Sequence, residues 1–372
     1  MRTSTQAESA AGPERARLLK DFALERLPSL QLSDGTFCLE VSAESEGRPQ
    51  GRSLRETLVV LLGLSRAAEH DVEHPFHLGA IRAHLEAELA AGGIGAGELA
   101  LALWSDSRAE AAWAADLVPA LSESLRPRRL RAAPTMEVGW ALVALAEAGL
   151  RVELGEGEEL LAACRAEILE RRPSGHLLTH TGRGARRRLP SFTDQITALV
   201  ALTGLARVRE DGEALDAAVA LGRTLVELQM DDGAWPWICD PVRGVVIEPY
   251  EIYSTHQDAL GMIGLGGLSD ATGDDSFRTA ALRGLDWSFG ANALGARMLD
   301  PSAGMIYRSI RRSGRVAGVE RARAAAAAYA HREGRAAAPV ELEVNRSMRP
   351  HQLGWILEAW VGREDLARPA GG

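Results

Sequence analysis

Residues 134–149 read PTMEVGWALVALAEAG. A glutamate stands in the first turn, and the segment that follows is apolar on nearly every helical face. A helix of that kind is buried on all sides instead of lying on a surface. The design recurs as SLRETLVVLLGLSRAA (53–68), GELALALW (97–104), SFTDQITALVALTGLA (191–206), STHQDALGMIGLGGL (254–268) and RPHQLGWILEAW (349–360). Each carries a polar group near its start: Glu56, Glu98, Glu137, Asp194, Gln257 and His351. Between these segments lie Arg/Glu-rich amphipathic stretches with one solvated face, such as GEALDAAVALGRTLVELQ (212–229) and DDSFRTAALRGLDWSF (274–289). Six buried helices alternating with exposed ones, at intervals of roughly forty to sixty residues, predict an inner ring inside an outer ring. The expected fold is therefore all-α, an (α/α)6 toroid over 14–364, with disordered tails at 1–13 and 365–372. The interval from 257 to 351 is longer and holds an insertion.

The composition fits this picture. Of 372 residues, 46% are hydrophobic and 25% charged, enough apolar material for a large core. Net charge is −9, which argues against a nucleic-acid partner and offers no basic membrane patch. Cys38, Cys164 and Cys239 are widely spaced with no CxxC, so no thiol-ligated metal site or disulfide framework follows. The longest apolar runs are too short for a membrane span. The first twenty residues lack the apolar core of a signal peptide, so the expected location is cytoplasmic. The histidines of EHDVEHPFH (70, 74 and 77) are interrupted by Pro75 and read as an exposed connection, not a metal site. His176 and His180 are ambiguous. The glycines of AGGIGAG (91–97) lack a preceding strand and read as a helix–helix turn.

One phrase occurs twice: LQLSDGTF at 30–37 and LQMDDGAW at 228–235. Asp-Gly supplies the positive-φ turn that stops an outer helix, the aromatic folds back, and the glutamine amide can bond the exposed helix end or turn. The turn recurs because the crossover from outer to inner helix recurs. Gln-x-x-x-Gly-x-Trp resembles the QW repeat of terpenoid cyclases and protein prenyltransferases, with Phe37 in place of tryptophan in the first copy. The acidic DxDD and DDxxD motifs of those enzymes are absent, so that resemblance supports a toroid more than an activity. An isoprenoid-binding toroid stays as the alternative function.

A second resemblance covers more of the chain. WPWICDPVRGVVIEPYEIYSTHQDALGMIGL (235–265), WSFGANALG (287–295), MLDPSAGMIYRSIRR (298–312) and RPHQLGWILEAW look like bacterial six-hairpin toroid proteins of the carbohydrate-active (α/α)6 class. That class includes glycosidases, sugar epimerases and uronate-processing enzymes. The resemblance implies a sugar substrate.

Inner helices that start at one end of a toroid bring their first turns and positive dipole ends to the central cavity. EPYEIYSTHQDA packs Glu248, Tyr250, Glu251, Tyr253, His256, Gln257 and Asp258 around one such start, more polar groups than capping requires. Sugar chemistry needs carboxylates for acid and base work and aromatic faces for the pyranose ring. Asp258, Glu251 and Asp194 are the expected acid/base groups, with His256 and Tyr253 as helpers in proton transfer. Trp235, Trp237, Tyr250, Gln257, Glu137, Trp355 and His351 are expected to bind substrate, with Trp235 and Trp237 projecting to the same side as a platform. In the loop with Tyr307, Arg308, Arg311 and Arg312, an arginine fork suits an anionic sugar such as a uronate; a solvated basic loop reads equally well. GRGARRR at 182–188 is a second such loop. The reaction is hydrolysis, epimerisation or elimination, and no cofactor or metal is expected. A non-catalytic toroid binding a glycan or a protein is the remaining alternative.

Overall fold

The computed structural model describes residues 3–109, 112–172, 177–179, 189–313 and 341–363. Helix α1 (Thr3–Arg26) begins inside the segment expected as a tail; the C-terminal tail, His176, His180 and residues 182–188 lie outside the described residues. The buried segments form α2 (Leu54–Glu69), α4 (Ala96–Ser107), α7 (Thr135–Ala148) and α9 (Phe192–Arg209). A π-helical stretch follows (His256–Leu260 and Met262–Gly266) and runs into α11 (Gly267–Thr272); α13 (Pro350–Trp360) is the last of the six. Their packing order closes on itself. α2 lies on α4, α4 on α7, α7 on α9, α9 on the π-helical stretch, that stretch on α13, and α13 on α2. This is the inner ring.

The amphipathic segments form the outer layer: α1, α3 (Leu78–Ala91), α5 (Ala114–Ser124), α8 (Gly157–Glu170), α10 (Gly212–Glu227) and α12 (Asp275–Ser288), with a single turn, α6 (Pro127–Leu130), before α7. Each outer helix packs on an inner neighbour: α3 on α2, α5 on α4, α8 on α7, α10 on α9, α12 on the π-helical stretch, and α1 on α13. The chain is an (α/α)6 toroid, as the alternation of helix types predicts.

Both LQ-turns are architectural. In each, glycine takes a positive φ, 86° at Gly35 and 88° at Gly233. The glutamine amide donates back across the turn, Gln31 Nε2 to the Gly35 carbonyl at 3.0 Å and Gln229 Nε2 to the Gly233 carbonyl at 2.7 Å. Phe37 and Trp235 both fold into the core with no exposure.

The strands are short and cluster in the crossovers. β2 (Ile238–Asp240) and β3 (Val245–Glu248) form a hairpin; β4 (Ile252–Tyr253), β7 (Ser309–Arg312) and β8 (Leu342–Asn345) form a small antiparallel sheet. β1 (Val41–Ser42) pairs with β9 (Ser347–Met348), and β5 (Leu299–Asp300) with β6 (Met305–Ile306). Together they make a rim at the end where the inner helices begin.

The opposite end is sealed by charge. Arg108, after α4, reaches Glu69 at the end of α2 (3.3 Å), Glu147 in the last turn of α7 (3.5 Å) and Glu358 of α13 (2.7 Å). One guanidinium thus bridges three inner helices. Burial raises the Glu358 carboxyl, and the arginine charge opposes that rise.

Candidate functional site

A cavity of about 400 Å3 opens at the end where the inner helices start. Two histidines line it. His256 opens the π-helical stretch, a helix form common at functional positions. Its ring is enclosed by Phe192 (centroids 5.0 Å apart), Tyr253 (5.3 Å) and Trp237, which stacks nearly parallel to it at 5.8 Å and 12°. Thr193 Oγ1 lies 2.9 Å from Nε2 and fixes the ring. Desolvation inside this aromatic box, with the neighbouring His351 charge adding to it, pulls the His256 pKa down to about 3. At neutral pH the imidazole is therefore uncharged.

His351 stands in the first turn of α13 beside Glu56 of α2. Its Nδ1 lies 2.8 and 2.7 Å from the two Glu56 oxygens, and its backbone N–H donates to Glu56 at 2.7 Å. A carboxylate only accepts, so Nδ1 carries the hydrogen and Nε2 is left for the cavity. Glu56 is positioned by ordinary helix chemistry: the Ser53 hydroxyl caps α2 and accepts from its backbone N–H at 3.3 Å. The two histidines differ in electrostatics. One is held neutral by apolar rings, and the other is tied to a carboxylate.

The remaining wall combines aromatic and basic groups. Trp237 is placed by backbone bonds to Pro249 and Phe192, between the β2–β3 hairpin and the start of α9. Trp140 and Trp355 form further faces; Trp355 meets Trp104 behind it at 5.8 Å. Tyr253, on β4, sits edge-on to both Trp237 and His256. Arg308, entering β7, covers the Tyr253 ring at 5.5 Å. Arg55 covers Trp140 at 5.5 Å and pairs with Glu98 at 2.7 Å, and Arg349 also reaches the wall. No group of three His, Cys, Asp or Glu side chains among the described residues is arranged to hold a metal ion.

The cavity therefore takes in His256, Tyr253, Trp237, Arg308, Trp355 and His351 of the residues singled out in the sequence. It does not gather the three expected acid/base carboxylates. Asp194 forms a capping box with Ser191, accepting from its N–H at 3.0 Å and its hydroxyl at 2.6 Å. Asp258 is wholly buried behind the cavity, where Gln352 Nε2 approaches it at 3.4 Å; desolvation raises its pKa well above the usual carboxylate range. Glu251 accepts from the Tyr253 hydroxyl at 3.2 Å and from Ser309, so it orients Tyr253 from outside the cavity.

The tryptophans of WPW part company. Trp235 is buried against Phe192 and donates to the Leu225 carbonyl at 3.1 Å, while Trp237 alone forms cavity wall. Gln257 accepts from the Trp235 N–H at 3.4 Å, Tyr250 lies under Arg312, and Glu137 reaches toward Arg55 at 3.7 Å. Tyr307 donates to Asp300 at 2.8 Å, away from the cavity. The residues the sequence reading did not place at the site are Glu56, Arg55, Arg349, Thr193 and Gln352. Glu56 carried one signal, a first-turn carboxylate on a buried helix, but its partner stands 295 positions away.

No protein-family model matches the chain, and no curated protein matches it. Solved structures share the fold. A sugar epimerase from a ruminal bacterium superposes with a TM-score of 0.63 at 13% identity, over 94% of this chain and 98% of that one. An unsaturated glucuronyl hydrolase specific for heparin gives 0.62 at 12% identity, over 95% and 97%. Cellobiose 2-epimerase from Bacillus thermoamylovorans B4167 gives 0.50 at 11%, over 93% and 99%. At these identities the likeness is one of fold, carried across nearly the whole of each chain.

Proposed function

We propose that the protein is a carbohydrate-active enzyme that moves a proton at a sugar carbon, an epimerase or isomerase in reaction type. The observation that carries this reading is the pair of histidines lining one cavity, one neutral by burial and one bound to Glu56. A carbon–hydrogen bond next to the carbonyl of an open-chain sugar is acidified by that carbonyl. Neutral His256 takes the proton, and the electron pair moves into an enediolate. His351, held through Nδ1 on Glu56, returns a proton to the carbon or to the neighbouring oxygen. Exchange with solvent restores both rings. The aromatic wall suits the apolar face of a sugar.

Paired carboxylates flanking a scissile bond are the usual requirement for glycoside hydrolysis. Among the described residues lining the cavity, Glu56 is the one carboxylate. The fold neighbours include two proteins described as sugar epimerases, which supports the same reading.

The test is incubation with glucose, mannose, cellobiose and uronic acids in deuterium oxide, followed by NMR. The expected result is one solvent deuterium on the carbon beside the carbonyl, with a product of inverted configuration or a shifted carbonyl. Release of new reducing ends without deuterium incorporation would replace proton transfer by hydrolysis.

A further inference from the structure

The lining of the cavity itself is rich in arginine. Arg55, Arg308 and Arg349 line it against the single carboxylate Glu56, in a chain whose net charge is −9. Arg55 is compensated by Glu98 at 2.7 Å, with Glu137 at 3.7 Å. The other two are not compensated in that way.

Arg308 is held in place by its backbone. Its N–H donates to the Asn345 and Ser347 carbonyls at 3.1 and 2.8 Å, and its carbonyl accepts from Ser254 at 2.9 Å. Its guanidinium lies on the Tyr253 ring at 5.5 Å, and no described carboxylate pairs with it. Its neighbours in the loop are spoken for: Arg311 pairs with Glu343 at 2.8 Å and Arg312 with buried Glu248 at 2.9 Å. Arg349 reaches Glu40 and Glu56 only at 3.9 Å, and its Nε is buried with no hydrogen-bond partner among the described residues. A buried, unsatisfied guanidinium N–H is costly, and the planar fork matches carboxylate, phosphate and sulfate oxygens.

We infer that Arg308 and Arg349 form an anion subsite, so that the sugar taken by this cavity bears an acidic substituent. The inference rests on the sugar reading of the same cavity. The substituent would lie on the Glu56–His351 side, since Arg349 adjoins both groups in the chain or in space.

The test is calorimetric titration of the full chain with D-glucuronate, D-galacturonate, glucose 6-phosphate and glucose 6-sulfate, each against neutral glucose or galactose. At least one acidic sugar is expected to bind tenfold or more tightly than its neutral parent, and the arm that does so identifies the substituent. Arg308→Gln and Arg349→Gln are each expected to narrow that gap. Added salt should narrow it in the unmodified protein, which keeps the test valid if a variant fails to fold. Equal binding of acidic and neutral sugars, or a gap indifferent to salt and to both substitutions, overturns the subsite and leaves the sugar reading standing. Binding of none of these sugars overturns both.

Discussion

His256 and Asp258 sit two residues apart on the π-helical stretch and respond to pH in opposite senses. The His256 pKa falls from 6.5 to about 3 on folding. Between those values the unfolded chain binds a proton that the folded chain refuses. Its contribution is fully present above pH 6.5 and is lost as pH falls toward 3, at up to about 1.4 kcal/mol per pH unit. Asp258 is raised from 3.8, so the folded state holds a proton that the unfolded state has released, and stability declines as pH rises above 3.8. Denaturant midpoints measured from pH 3 to 7 should show a shallower acid slope in His256→Gln. Asp258→Asn, which keeps the shape without the ionisation, should raise the midpoint at pH 7. Glu56→Gln tests the chemistry. Loss of the carboxylate that accepts from His351 Nδ1 should lower the deuterium-exchange rate by about a hundredfold or more, with the fold retained by circular dichroism.

At the scale of elements, two features decide how helices meet. α2 and α13 approach so closely that a Cβ built on Gly354 would sit 2.4 Å from the Val59 carbonyl oxygen. One on Gly63 would sit 2.3 Å from the Gly354 carbonyl oxygen. Gly354→Ala therefore overpacks the seam where the ring closes and should cost about 1–3 kcal/mol or more in urea unfolding. Gly267→Ala, with nothing within 4 Å, should be neutral or stabilising by up to about 1 kcal/mol. The LQ-turns give a second comparison. Gln229 Nε2 bonds both its own turn and the Ala280 carbonyl of α12 at 2.8 Å, whereas Gln31 Nε2 bonds only its own turn among the described residues. At about 1 kcal/mol per bond, Gln229→Ala should lower stability roughly twice as much as Gln31→Ala.

Across the whole molecule, the two ends of the toroid differ in their chemistry. The end where the inner helices begin holds the cavity, its histidines and its arginines. The far end is closed by Arg108 bridging three helices through buried Glu358, half-buried Glu147 and the more exposed Glu69. Removing one member of such a cluster leaves charge stranded, so Arg108→Met should cost about 3–5 kcal/mol, read as a fall in the unfolding midpoint. The sugar binding proposed for the cavity should not change per folded molecule, because the cluster lies beyond the core from it. Joint replacement of Arg108, Glu147 and Glu358 by apolar residues should recover much of that loss, since no unpaired charge then remains among them.

The ring was legible in the sequence because burial on every face leaves a local signature: six segments apolar all round, each with a polar first turn, alternating with one-sided helices. The LQ-turn was legible for a similar reason, since its glycine, glutamine and aromatic act within eight residues. The wall residues Tyr253 and His256 could be read from one crowded segment at a helix start, and Trp237 from the WPW stretch before it. What the sequence could not give is which polar groups share the cavity. Glu56 and His351 meet only because α13 closes the ring against α2. The acidic groups nearest the start of the π-helical stretch, Asp258 and Glu251, are turned into the core or toward Tyr253. Asp194 serves its own helix as a cap, a local use of a carboxylate that sequence pattern cannot tell from a catalytic one. Periodicity fixes which face of a helix is buried, but ring closure and the short crossover strands fix which buried groups face one another.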